Sequence, residues 1–140
     1  MLFRSLTPTG FAEKSRLTAA YLSSSLSFYR EAGNSCARLL DRCAENNWQR
    51  LLLCGVSDLA EIATLRAMER HLTIVGIYDP NSTHDRFLGK TVWQQLELAE
   101  THDARLLTDI AEPRLRHTEI STHPGAIPLL VPDVLRMDSA

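Results

Sequence analysis

Hydrophobic and polar positions alternate in three different ways along this chain. From Phe11 to Asn47 there is no proline and a single glycine, Gly33, so the stretch predicts a long helix with Gly33 as its one candidate break. Leu22, Leu26, Tyr29, Gly33, Cys36, Leu40 and Cys43 recur at steps of four and three, a heptad-like seam. The seam is imperfect, because Ser23–Ser25 and Ser27 are poor interior helix formers and Gly33 costs about 1 kcal/mol relative to Ala. Two fates are open to it: packing on its own domain as core, or pairing with the same helix of a second copy. Helix length favours pairing, since so long a rod projects well past a small sheet. Asn46-Asn47 predicts the end of the helix, and Trp48 an anchor at the domain junction.

The second regime runs from Gln49 to Pro80. Arg50–Cys54 (RLLLC) is a short apolar run, Gly55-Val-Ser-Asp is turn material, and Leu59, Ile62, Ala63 and Ala67 share one helical stripe. His71–Tyr78 (HLTIVGIY) is a second apolar, β-branched run, closed by Asp79-Pro80. Near-continuous apolar strands around an amphipathic helix predict a parallel βαβ unit covered on both faces. Gly55, Ser57 and Ala60 occupy the places of G-x-G-x-x-G/A, and Asp79 follows at the spacing of a ribose-binding carboxylate.

Beyond Pro80 the elements are shorter. Asn81–Arg86 reads as a polar loop, Phe87–Val92 as a turn and strand, and Trp93–Thr101 as a short helix. Arg105–Leu107 predicts a third strand, Ala111–Thr122 a helix, and Ile127–Val131 a fourth strand that Pro128 places at an edge. Pro132–Met137 suits a last helical turn. The expected fold is α/β: a Rossmann-like parallel sheet of about four strands preceded by a long N-terminal helix. Residues 1–47 would form a terminal remnant and the long helix, and residues 48–140 the α/β domain.

Composition narrows the function classes. A chain of 140 residues, 44% hydrophobic and 23% charged, holds one domain with at most an appendage. A net charge of −2 gives no basic field for sequence-independent nucleic-acid binding. Cys36, Cys43 and Cys54 are odd in number and lack C-x-x-C spacing, which suits reduced buried thiols and a cytoplasmic location. No apolar run approaches the length needed to cross a bilayer.

The turn after the first strand carries the main candidate site: Gly55, Val56, Ser57 and Asp58, with Asp79 from the second strand and Lys90 as a phosphate-neutralising neighbour. Ser57 replaces the glycine that admits a pyrophosphate. Asp58 is expected to cap the helix with Glu61 three residues on, and both would repel a diphosphate. The turn therefore argues against NAD(P), leaves a nucleotide or sugar nucleotide open, and reads most simply as structural. Gly89-Lys90-Thr91 is no P-loop, because His84 stands where the earlier glycine is required. The five histidines have no metal-ligand spacing, there is no G-x-S-x-G elbow, and Cys54 within a strand suits an inert thiol. No catalytic centre is specified.

Two stretches carry a resemblance. Leu6–Thr18 (LTPTGFAEKSRLT) resembles the end of the wing and the start of the next helix in MarR-type winged-helix regulators, particularly the exopolysaccharide-associated subgroup. Leu52–Asp79 together with Phe87-Leu-Gly-Lys is similar to a Rossmann-like domain appended to some of those regulators. That domain is in turn similar to the N-terminal domain of sugar-nucleotide acetyltransferases and to the CoA-binding fold. The resemblance implies a homodimer through the N-terminal helix and a sensor-like domain for a small molecule. It also implies DNA contact only through a winged-helix domain that would precede Met1. Carried from the acetyltransferase relatives, nucleotide-sugar phosphates would meet Gly55, Ser57, Asp58 and Asp79. The expected role is a non-catalytic dimerisation and ligand-sensing domain of a transcriptional regulator. The alternative is a nucleotide- or sugar-nucleotide-binding enzyme domain of polysaccharide metabolism.

Overall fold

The computed structural model of the chain describes residues 8–136, with side chains for Ala19 and from Ser25 onward. The residues of the wing-like stretch before Pro8, the side chains of Pro8–Thr18 and that of Leu22 lie outside the described residues. Three helices and six strands follow one another: α1 (Pro8–Glu45), β1 (Arg50–Cys54), α2 (Asp58–Glu69), β2 (Thr73–Tyr78), β3 (Arg86–Phe87), β4 (Lys90–Trp93), β5 (Ala104–Leu107), α3 (Pro113–Ser121) and β6 (Leu129–Leu130). The fold is α/β, as the sequence predicts. The chain divides into two compact units, Met1–Glu31 and Ala32–Ala140.

In the larger unit the strands lie in the order β3-β4-β2-β1-β5-β6, and every pairing is parallel except the β3–β4 hairpin. The sheet is thus wider than the predicted four strands. The expected helix at Trp93–Thr101 is corrected: Trp93 closes β4, and only Leu96–Leu98 coil, into a 3-10 turn. Parallel pairing of Tyr78 with Trp93 extends the strand by the residue that the sequence pattern assigned to the helix. Likewise Ile127–Val131 contributes only two residues of strand, at the edge where Pro128 placed it.

All four residues Leu51–Cys54 are fully buried, as a central parallel strand covered on both faces requires. From β1 the chain moves through α2 to β2 on one side, and from β5 through α3 to β6 on the other. Right-handed crossovers in opposite directions place α2 and α3 on opposite faces. Leu52, Cys54, Tyr78 and Leu107 meet Ile120 of α3, with Leu96 alongside. Leu51, Leu53, Ile77 and Leu106 alternate with them and are buried as well. Each such aliphatic side chain contributes roughly 1.5–3 kcal/mol on burial.

The seam of α1 divides. Ala32, Cys36, Leu40 and Cys43 are buried completely within the larger unit, so this part is core. Gly33 does not break the helix; its missing side chain lets Arg66 of α2 pack against it, where a methyl group would stand 3.1 Å from Nη2. Asp41 accepts from Arg70 Nε at 2.7 Å, and Ser35 Oγ accepts from the amide of Val134. As expected, the asparagines end α1. Asn47 takes the left-handed conformation (φ 60°), and the Trp48 amide closes back on the Cys43 carbonyl at 2.9 Å. In the smaller unit Leu26 and Tyr29 are 62% and 48% exposed, and the Tyr29 ring meets Phe28 edge to face at 5.7 Å.

One buried pair makes stability pH-dependent. His102 Nδ1 lies 2.7 Å from the Glu100 carbonyl, so it carries the proton, and Nε2 accepts from Arg105 Nε at 2.9 Å. Burial, with the Arg105 charge beside it, holds the His102 pKa below the ordinary imidazole value. Between the ordinary value of about 6.5 and the lower native one, the unfolded chain binds more protons. Stability contributed by neutral His102 is complete above about pH 6.5 and is lost as pH falls through the native pKa. Urea midpoints should therefore drop from about pH 7.5 to about pH 5.5. The drop should be shallower in His102→Gln, whose amide keeps both hydrogen bonds.

Candidate functional site

In an open parallel sheet, ligands enter beyond the carboxyl ends of the strands, where strand order reverses. Here that point lies between β1 and β5, and the chain itself occupies it. Gly55 takes φ +127° and lies flat against Asp109; a methyl group on it would stand 2.6 Å from both the Cα and the N of Asp109. Thr108 Oγ1 donates to the Gly55 carbonyl at 2.6 Å, Ser57 Oγ donates to the Thr108 carbonyl at 2.5 Å, and the Thr108 amide donates to the Cys54 carbonyl at 3.0 Å. Three hydrogen bonds and one glycine close the crevice.

The predicted site residues are placed as follows. Gly55, Val56, Ser57 and Asp58 form the turn into α2, and Asp79 stands beside them. The Asp79 carboxylate is occupied from within: Oδ2 accepts from the Val56 amide and Oδ1 from the Asn81 amide, both at 2.9 Å. Ser57, not Asp58, is the N-cap of α2, its Oγ accepting from the Ala60 amide at 3.2 Å. The cap moves back one residue because Ser57 has the extended backbone that an N-cap needs, while Asp58 is already helical. Asp58 and Glu61 do lie in the first turn, as predicted. Lys90 is not brought to this group. It opens β4, whose other end, at Val92 and Trp93, pairs with Ile77 and Tyr78, and Gly89 before it shapes a hairpin turn with φ +75°.

Behind the closed crevice lies a buried ionic network that the sequence reading missed. Arg116 of α3 has a side chain only 2% exposed. Its Nε donates to Asp109 Oδ2 at 3.0 Å, and its Nη1 to Glu119 Oε2 at 2.7 Å. Tyr78 donates its hydroxyl to the other oxygen of Glu119, and Asp109 Oδ1 accepts from the Glu112 amide at 2.9 Å in the turn that leads into α3. Arg116 Nη2 has no hydrogen-bond partner among the described residues. Two sequence signals could have pointed here: Thr108-Asp109 directly follows a predicted strand, and Arg116 and Glu119 sit three apart on one helix face.

This constellation holds rather than reacts. Burial pushes the Cys54 thiol up to about 12, against the pull of the Arg105 and Arg116 charges. Burial and the hydrogen bond to Glu119 raise the Tyr78 hydroxyl far above its usual range. Both stay protonated at neutral pH, the carboxylates are held by Arg116, and no nucleophile faces a base. Among the described residues, no group of three or more metal-binding side chains is found.

A different concavity flanks this edge. A cleft of about 560 Å³ opens beside the end of β4, lined by Thr83, His84, Asp85, Val92, Trp93, Gln94, Gln95 and Leu98.

Two outcomes are expected. Arg116→Met leaves Asp109 as an uncompensated buried charge, so urea unfolding should show a loss of about 3–5 kcal/mol. Cys36 and Cys43, raised by burial to about 11, and Cys54 should resist a thiol reagent in the native protein and react together once it is unfolded.

No protein family, curated protein or solved structure matches this chain.

Proposed function

We propose that this chain is a non-catalytic dimerisation and ligand-sensing domain of a transcriptional regulator. One observation carries the non-catalytic part: the crevice between β1 and β5 is filled by Asp109 on Gly55 and laced by Ser57 and Thr108. The amide of Val56, which a diphosphate would need, donates to Asp79 instead. A diphosphate there would have to displace one carboxylate and approach two more, Asp58 and Glu61, in the first turn of α2.

The regulator part rests on the resemblance of Leu6–Thr18 to the wing-to-helix passage of MarR-type proteins. Dimerisation is supported by Leu26 and Tyr29, apolar side chains of the helical seam that stay largely exposed. Base readout, which needs an element seated in the major groove, would fall to a winged-helix domain outside this sequence.

The alternative, a nucleotide- or sugar-nucleotide-binding enzyme domain, is favoured by one feature: Asp79 stands beside the turn, where a ribose-binding carboxylate belongs. One pair of measurements separates the two. Light scattering at micromolar concentration should give a dimer, and Leu26→Glu with Tyr29→Glu should give a monomer. Thermal shifts with NAD(H), nucleotides, UDP-sugars and CoA should stay near zero. A ligand at a hundred times its Kd would add about 2.7 kcal/mol, and a shift of that size would establish the alternative.

A further inference from the structure

We propose that the cleft beside β4 is the sensing site and that its ligand is a neutral saccharide. The inference rests on the ligand-sensing reading and gives it a place and a chemistry. The residues that line it are one large aromatic, Trp93, two aliphatics, Val92 and Leu98, and five polar residues, Thr83, His84, Asp85, Gln94 and Gln95. An aromatic surface beside mixed donors and acceptors matches a sugar ring, which has an apolar C–H face and a rim of hydroxyls.

The polar groups are free to bind. Thr83, His84, Asp85 and Gln95 make no side-chain hydrogen bond among the described residues, whereas Gln94 uses Nε2 to hold the Ser82 carbonyl at 2.6 Å. The charges select against anions. Asp85 lines the cleft and no lysine or arginine does, so a phosphate or nucleotide would meet repulsion without a counter-charge.

The cleft is also built in advance. The six-membered ring of Trp93 rests on Gly76, where a methyl group would lie 2.3 Å from Cζ3. The Trp93 carbonyl accepts from the Asp79 amide and the Asp85 carbonyl from the Val92 amide, both at 2.9 Å. Trp93 and the backbone at Asp85 are therefore pinned to the sheet, which lowers the ordering cost of binding. The cleft adjoins the Asp79 turn without using the closed crevice.

The test is an NMR titration of the full chain with glucose, galactose, mannose, N-acetylglucosamine and cellobiose. Adenosine, uridine and inorganic phosphate complete the panel. At least one saccharide should move the Trp93 indole signal and the Gln94 and Gln95 side-chain amides while leaving Trp48 in place. Asp85→Asn combined with Gln95→Ala, both at exposed positions, should weaken that binding about tenfold or more. If none of the saccharides moves those signals, or if only a nucleoside or phosphate does, the proposal is overturned. A failure here with dimers and flat nucleotide thermal shifts would remove the saccharide and leave the regulator reading standing. A nucleotide thermal shift would remove that reading itself.

Discussion

The closure of β1 onto β5 is the constraint on which the rest of the carboxyl edge depends. It needs a residue without a side chain at position 55, because Gly55 at φ +127° lies against the Asp109 backbone. Once that approach is made, Thr108 and Ser57 reach across the gap, and Asp109 is fixed where it can hold the turn before α3 through the Glu112 amide and receive Arg116. The glycine that in a dinucleotide site makes the tight turn here also makes room for the protein's own chain. A binding turn and a structural turn thus share one backbone requirement and differ in what fills the space.

Electrostatics follow from the same closure. With the crevice shut, Arg116 is cut off from water and is held by Asp109 and Glu119, with Tyr78 on the far oxygen of Glu119. Such a network specifies a geometry more than it adds stability, since desolvation offsets much of the attraction between its charges. It also ties α3 to the ends of β2 and β5. The buried groups that could have done chemistry, the Cys54 thiol and the Tyr78 hydroxyl, are kept protonated by that burial. To the side, the β4 end and the loop after Asp79 frame a cleft whose hydrogen-bonding groups are largely unengaged.

Local pattern made the α/β order legible. The apolar run Leu51–Cys54, the stripe Leu59, Ala63 and Ala67, and the run up to Tyr78 each announce their element because periodicity records which face is buried. Boundaries were less legible where neighbours outvoted propensity. Trp93 pairs as strand with Tyr78, and Gly33 stays helical with Arg66 packed where a side chain would stand. Of the candidate site, the turn and Asp79 were visible by spacing, and they do come together. Arg116, Glu119 and Asp109 were not singled out, because the three-residue spacing of Arg116 and Glu119 on a nine-residue helix looks the same whether the arginine is buried or solvated.

By itself the sequence determined the α/β order of the main strands and helices, that the thiols lie inside, and that the turn after β1 departs from a phosphate cradle. Those properties follow from residues near one another in the chain. Only the tertiary structure decided what stands opposite Gly55, which part of the α1 seam is core, and which polar groups are left to bind something else. Each of these depends on a partner about thirty to a hundred residues away, and no local pattern encodes the identity of a contact made at that separation.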